Sequence, residues 1–332
     1  MWDVKILRIN RIEAIPNADR LEVAFINDWP IVVQKGQWVV GQLGTYVPYD
    51  SILPTNLIES LGLVGKLSGS QKNRVKAIRL RGQLSIGLLA PVPEGFTEGD
   101  SVAEFLGVTK YEEPEDNSTG TQVRIPCEPK PWGWIKYDIE NSRNSLDGII
   151  TDDEVVITEK IHGQSSSFGL VDNQFIVSSK NRIRKDLDSN FWKIAKEYNL
   201  EHVLRELGDG YWVHGEIFSR GIQDLYYGAE KPTFAAFDIR NSSGFLNYDN
   251  FVEICGKYGL PTVPLLYRGG FSKAVLAQHT SGTEQVSGRN LHLREGCVVK
   301  PIIERITRRG ERVVYKSVSP DYLLRKNGTE FH

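Results

Sequence analysis

The chain reads as an α+β protein of two domains, a small N-terminal β-barrel or sandwich followed by a larger domain that mixes strands and helices. Three observations carry that reading. The 332 residues suit two domains of ordinary size. The first third is written in short apolar or alternating runs with no long amphipathic helix, whereas the remainder alternates strand-like runs with helical spacing. Between them, residues 111–122 are acidic, polar and turn-rich, and bury too little apolar surface to fold alone. The domains expected are therefore 1–108, a linker over 109–125, and 126–332.

In the first domain the strand-like runs are residues 4–9, 21–25, 31–33, 38–40, 76–80 and 86–89, with one short helix expected at 56–63. After the linker, Pro126-Cys127-Glu128-Pro129-Lys130-Pro131-Trp132 reads as an extended lead-in, because proline excludes helix. In the second domain strands are expected at 167–171, 174–179, 211–218, 233–239 and 296–303, and helices at 189–207, 247–258 and 271–280.

Composition narrows the class. A formal net charge of -2 leaves any nucleic-acid contact to local basic faces, which weighs against a histone-like or coat-like binder. Cys127, Cys255 and Cys297 are far apart and odd in number, so neither a disulfide framework nor a structural zinc site is expected. No run approaches the ~18 apolar residues of a membrane span, and Met1-Trp2-Asp3-Val4-Lys5 lacks a signal pattern. A soluble cytoplasmic protein is expected.

One stretch points to chemistry. Val155-Val156-Ile157 reads as a buried strand that delivers Lys160 to its end, where the chain turns through Ile161, His162 and Gly163. Gly163 permits close approach of a ligand, and Ser165 to Ser167 supply small hydroxyls, so a phosphate-bearing molecule could reach the lysine amine. A lysine so placed acts as a nucleophile once its neutral amine is accessible. Taken alone, Lys-x-x-Gly is a chance match in many chains. In the first domain, Lys66, Lys72, Arg74, Lys76, Arg79 and Arg81 occur with no acidic residue between Glu59 and Glu94, a pattern that would supply a basic groove.

Two resemblances extend this. Residues 15–23 and 79–88 resemble OB-fold domains that bind tRNA in synthetase-associated proteins, which implies an OB-fold barrel over roughly the first 105 residues. In the second domain six short segments follow one order: Lys160-Ile161-His162-Gly163, residues 178–182, Gly215-Glu216-Ile217-Phe218, Ala236-Phe237-Asp238-Ile239, residues 295–300, and Val314-Tyr315-Lys316. That order resembles the covalent nucleotidyltransferases (RNA ligases, DNA ligases and capping enzymes), and implies a C-terminal domain of antiparallel sheets flanked by helices. Glu159 to Gly163 and Phe237-Asp238-Ile239 look most like RNA ligases. An OB domain that comes first is similar to the Deinococcus-type ligases that seal nicks with 3'-OH and 5'-phosphate ends.

The resemblance implies that Lys160 attacks the α-phosphorus of ATP to form lysyl-AMP, with Mg²⁺ or Mn²⁺ as cofactor. Glu159 would bond the adenine, Phe237 would stack on it, and Gly163 would line the nucleotide site. Arg182 would meet phosphate, Glu216 the ribose and the metal, and Glu295 the metal's water shell. Lys300 and Lys316 would sit by the α-phosphate and lower the pKa of Lys160. Lys180, with the basic residues of the first domain, would contact RNA, either a nicked duplex or broken ends, and a monomer is expected. His162 is read as a turn residue without a chemical task, and Asp238 as a support of the fold.

Three departures are evident. Position 314 is Val where Lys is usual, 162 is His where many relatives have Asp, and 165 is Ser where phage-type ligases have Asn. The alternatives are a capping-type guanylyltransferase, a DNA ligase, or a non-catalytic RNA-binding protein.

Overall fold

The computed structural model describes residues 2–111, 131 and 133–325. Most of the expected linker and lead-in lies outside the described residues, including Cys127. The chain forms two compact units, Met1–Glu112 with Asn141–Ser145, and Glu113–Glu140 with Leu146–His332.

The first unit holds β1 (Lys5–Arg8), β2 (Arg11–Ala14), β3 (Leu21–Ile26), β4 (Trp29–Gln34), β5 (Leu43–Val47), β6 (Ser51–Ile52), α1 (Thr55–Ser60), β7 (Ile78–Leu80), β8 (Gln83–Ser85), β9 (Leu88–Ala90), α2 (Ala103–Leu106) and β10 (Thr109–Lys110). Of its larger sheets, β1-β5-β9 lies over a core of Val4, Ile6, Val47, Leu53, Val75, Val102 and Val108, and β2-β3-β4 packs Val23 and Phe25 with Ile15 in a smaller cluster. The unit outlasts the expected boundary. Thr109 and Lys110 pair with β6, and Tyr111 donates its amide to the Asp50 carbonyl, 2.7 Å away.

The expected strand over Trp38-Val39-Val40 is instead a turn. Gly36 and Gly41 bracket it with φ of +77° and +87°, and Val39 and Val40 are 63% and 60% exposed. The strand that pairs here is β5, whose Gly44 and Thr45 interrupt its apolar pattern.

The second unit holds two five-stranded sheets. One runs β11 (Glu140–Asn141), β20 (Tyr315–Val318), β19 (Gly296–Pro301), β12 (Glu154–Lys160) and β18 (Leu265–Gly270); the other runs β14 (Gln174–Ser179), β13 (Gln164–Val171), β15 (Trp212–Phe218), β16 (Thr233–Asn241) and β17 (Gly244–Phe245). β12 is apolar throughout its middle because both faces are covered. Val155 and Ile157 join a core with Val299, Phe271 and Leu276 of α6 (Lys273–Thr280), while Val156 joins the core beneath the second sheet. That core also receives α3 (Asn190–Glu197), α4 (Leu200–Leu207) and α5 (Tyr248–Tyr258). A single helix over 189–207 was the expectation. Asn199, left-handed at φ +49°, breaks it in two so that both amphipathic faces reach the sheet. No described helix is long and apolar enough to cross a membrane.

A buried ion cluster ties the two sheets. Asp238 of β16, 2% exposed, accepts from Lys300 of β19, from Arg312 (Nη1 2.7 Å, Nη2 3.0 Å) and from the Tyr137 hydroxyl. Glu304 completes it, accepting from Arg312 Nε at 2.8 Å and lying 3.4 Å from Lys300. Two acids thus offset two bases. Burial alone would raise the Asp238 pKa, but Arg312 and Lys300 override it and hold the carboxyl well below its ordinary range. That contribution is complete above the ordinary carboxylate pKa and is lost as the pH falls through the depressed one. Asp238→Asn is expected to cost about 3–5 kcal/mol by leaving buried cations uncompensated, and to flatten the acid limb of stability below about pH 4, as urea unfolding at several pH values would measure.

Candidate active site

Lys160 ends β12, and only Ile161, His162 and Gly163 separate it from β13 in the other sheet. The site is built on this crossing. Ile161 anchors it in a core with Phe218, Tyr227, Val318 and Tyr322, and the His162 amide donates to the Tyr227 hydroxyl at 2.8 Å. Gly163 donates to Glu216 Oε1 at 3.1 Å. No side chain fits there, since a Cβ on Gly163 would lie 2.3 Å from the Ile217 carbonyl oxygen.

Lys160 Nζ donates to Glu295 Oε1 at 2.7 Å, just before β19. Burial pulls the lysine pKa down, but Glu295 and Glu216 outweigh it and the amine is raised. This corrects the expected lowering by Lys300 and Lys316, because the chain's own carboxylates dominate. Glu216 is pushed up to about 8, by burial first, with Lys160 opposing and Glu295 reinforcing. Glu295 Oε2 is buried with no partner among the described residues.

Glu159 faces away from Lys160, as strand alternation requires. Its Oε2 accepts from the Gln285 amide at 2.8 Å, and its buried Oε1 has no partner among the described residues. Burial pushes its pKa up to about 7 against the Gln285 bond and Arg294. Phe237 occupies a bulge on β16, where pairing passes from His214↔Asp238 to Gly215↔Ala236. Its ring centroid lies 4.8 Å from that of Tyr137. Arg182 closes the turn after β14, its carbonyl accepting from the Ser179 amide at 2.9 Å.

Lys316 and Lys180 meet at one carboxylate. Their amines lie 3.7 Å and 3.6 Å from Asp138 Oδ1. Burial lowers the Lys316 pKa, Asp138 opposes, and Lys160 and Lys180 add to the lowering. Lys180, expected at RNA, therefore belongs to the cluster around Lys160. Sequence reasoning missed Tyr137 and Asp138. They sit in a proline- and tryptophan-rich lead-in with no periodic signal, and only folding brings them to β14 and β20.

Two residues expected at ligands are engaged within the chain. Lys300, expected by the α-phosphate, is 4% exposed and bound to Asp238. Arg74, expected at RNA, donates to Asp50 Oδ1 from Nε (3.0 Å) and Nη2 (2.7 Å) and stacks on Tyr111 at 3.5 Å, an internal ion pair. Lys66 caps a carbonyl of its own segment, Gly62, at 2.7 Å. Lys72, Lys76, Arg79 and Arg81 are exposed, the last two on the β7–β8 hairpin. Among the described residues no three His, Cys, Asp or Glu side chains are grouped to hold a metal. Glu216 and Glu295, with the partnerless Oε2, fit a cation that keeps most of its waters rather than an all-protein cage.

A family model described as RNA ligase matches residues 153–318, half of the 332-residue chain, and one described as an OB-fold domain matches 4–92. Among solved structures, the chain is similar to Naegleria gruberi RNA ligase with pyrophosphate: 24% identity, TM-score 0.84, covering 97% of this chain and 98% of that one. A mutant of that ligase with ATP and Mn gives 24% identity and TM-score 0.81 over the same shares. An apo mutant gives 23% and 0.83, again over 97% and 98%. No curated protein sequence matches the chain.

Gly163→Ala is expected to cost about 1–3 kcal/mol in urea unfolding, because the β12–β13 turn must back away from β15. Gly256→Ala in α5, where a Cβ meets nothing within 4 Å, is the control, expected to be neutral or to stabilise by up to about 1 kcal/mol.

Proposed function

We propose that this chain, which belongs to the RNA ligase family, joins RNA ends with ATP through three phosphoryl transfers centred on Lys160. The Lys160 amine attacks the α-phosphorus, forming a P–N bond as the bond to pyrophosphate breaks. A 5'-phosphate oxygen of RNA then takes the AMP, breaking the P–N bond. Finally the 3'-OH attacks that 5'-phosphorus and AMP leaves. The observation that carries this reading is the cluster itself, a half-buried lysine held by Glu295 and beside Glu216, with Lys180 and Lys316 gathered at Asp138. The Naegleria structures with ATP and Mn and with pyrophosphate support nucleotide use by this fold.

Each step is positioning plus charge stabilisation. Lys316 and Lys180 would meet the α-phosphate, and Arg182 a further phosphate. Glu159 Oε1, buried without a partner, suits an amino donor such as that of adenine. Phe237 would stack on the base and Glu216 would contact the ribose. Glu295 and Glu216 would hold the hydrated Mg²⁺ or Mn²⁺, which supplies positive charge at the phosphates. Lys300 and Arg74 are assigned no part. Asp138 stands between Lys180 and Lys316 where a phosphate would stand, so it gives way when nucleotide binds. The exposed Lys72, Lys76, Arg79 and Arg81 would track the RNA backbone. The OB-first layout supports nick sealing in RNA repair.

Incubation with α-labelled ATP or GTP and Mg²⁺ or Mn²⁺, followed by denaturing electrophoresis, is the test. Label from ATP alone, absent in Lys160→Ala, is expected. Label from GTP would favour a capping reaction, and none from either would overturn the reading. Asp138→Asn is expected to lower the KM for ATP by about three- to tenfold through removal of a competing carboxylate, and an unchanged KM would refute that competition.

A further inference from the structure

His162 is buried two residues beyond Lys160, and both its ring nitrogens are engaged. Nδ1 meets the Tyr322 hydroxyl at 3.0 Å, and Nε2 meets Asp224 Oδ1 at 3.0 Å. Arg325 closes the group. Its Nε donates to Asp224 Oδ2 at 3.0 Å, its Nη2 to Oδ1 at 3.3 Å, and its guanidinium lies 3.6 Å over the Tyr322 ring. Tyr322 belongs to α7 (Pro320–Leu323) and Asp224 to the connection between β15 and β16. Two segments distant in sequence from His162 and from each other therefore converge on one imidazole.

A three-residue crossing between sheets has few bonds of its own to set its angle. The Gly163 bond to Glu216 holds one end and the Ile161 side chain the other. Between them the only polar side chain is His162, and an imidazole bonded through both nitrogens cannot rotate without breaking one bond. An error of about 1 Å in the reacting geometry costs on the order of 100-fold in rate, so a fixed ring at this point matters to Lys160.

We infer that Asp224, Tyr322 and Arg325 form a positioning unit that holds the Ile161-His162-Gly163 turn, through His162, so that the Lys160 amine is aimed for attack. This rests on the lysyl-AMP reading above. Charge makes it specific. Asp224 accepts from a ring nitrogen of His162 and Arg325 Nη2 lies 3.3 Å from the same Nε2, so a carboxylate at position 162 would lose both ring bonds and set two acids against one guanidinium, freeing the turn. A histidine at 224 would restore an acid–imidazole pair with its members exchanged.

The test uses the full chain with His162→Asp, Asp224→His, the double variant and the shape-conserving Asp224→Asn. Enzyme-AMP formation from ATP is compared with sealing of chemically pre-adenylylated RNA, which bypasses the amine. His162→Asp and Asp224→His are each expected to slow enzyme-AMP formation at least about tenfold with KM for ATP within about twofold, and the double variant to recover to within about fivefold of wild type. Asp224→Asn is expected to fall in between, and sealing of pre-adenylylated RNA to stay near wild type in all four. If sealing fell in parallel with labelling, or if the exchange did not recover the rate while Asp224→Asn matched wild type, the unit would be merely structural and the inference overturned. A wild-type chain that takes no label from ATP would instead refute the lysyl-AMP reading, and this inference with it.

Discussion

Burial of an ammonium at the junction of two sheets is the constraint on which the second unit depends. Lys160 is half-buried, and a charge there persists only if acids accompany it. Glu295 arrives from the entry to β19 and Glu216 from β15, one from each sheet, so the pairing that keeps the lysine charged also fixes how the two sheets meet around it. Lys180 and Lys316 gather at Asp138 by the same logic. Three lysines thus face three acidic side chains, although Glu216, pushed up to about 8, is largely protonated at neutral pH. A polyanion can enter only by taking over the role of one acid, and Asp138, the most exposed of the carboxylates paired here with lysine, is the one that can leave at least cost.

The same sheet pair carries a second cluster of opposite character. Lys300 is opposite Val156 and Gly296 is opposite Lys160, so the two lysines lie on one face of the β12–β19 ladder, about 13 Å apart along the strands. At the Lys160 end Glu295 Oε2 is left without a partner. At the Lys300 end Asp238, Arg312, Glu304 and Tyr137 bond one another. The closed cluster has nothing left to offer a ligand and serves rigidity. The open one has acceptors to spare.

That contrast explains what could be read in advance. The order of the six segments carried the fold and the gathering of Lys160, Glu216, Glu295 and Lys316, because each segment ends or lies on a strand and the strands converge. Alternation along β19 puts Lys300 on the Lys160 face, but no local pattern tells how far along the ladder it lies or that Asp238 is its partner. Arg74 fails for the same reason, since the basic run around it hides Asp50, some twenty residues upstream. Trp38 to Val40 reads as a strand by apolar content, but Gly36 and Gly41 turn the backbone left-handed on either side and break it. His162 looked idle because Asp224, Tyr322 and Arg325 are adjacent only in space.

Two unsatisfied acceptors flank the nucleophile. A buried acceptor left without a donor costs about 1–3 kcal/mol, and a folded chain seldom keeps one without reason. Glu159 Oε1 and Glu295 Oε2 are two such atoms on either side of the nucleophile, while the neighbouring Glu159 Oε2 and Glu295 Oε1 are both bonded. Each carboxylate is therefore oriented by one oxygen and held open by the other. Such pre-aimed acceptors need no rearrangement when donors arrive, so the cost is met in folding rather than at the moment of reaction. On the function proposed above, the two orphan oxygens would receive the nucleotide and its ion, and the bonded oxygens would keep the site in place.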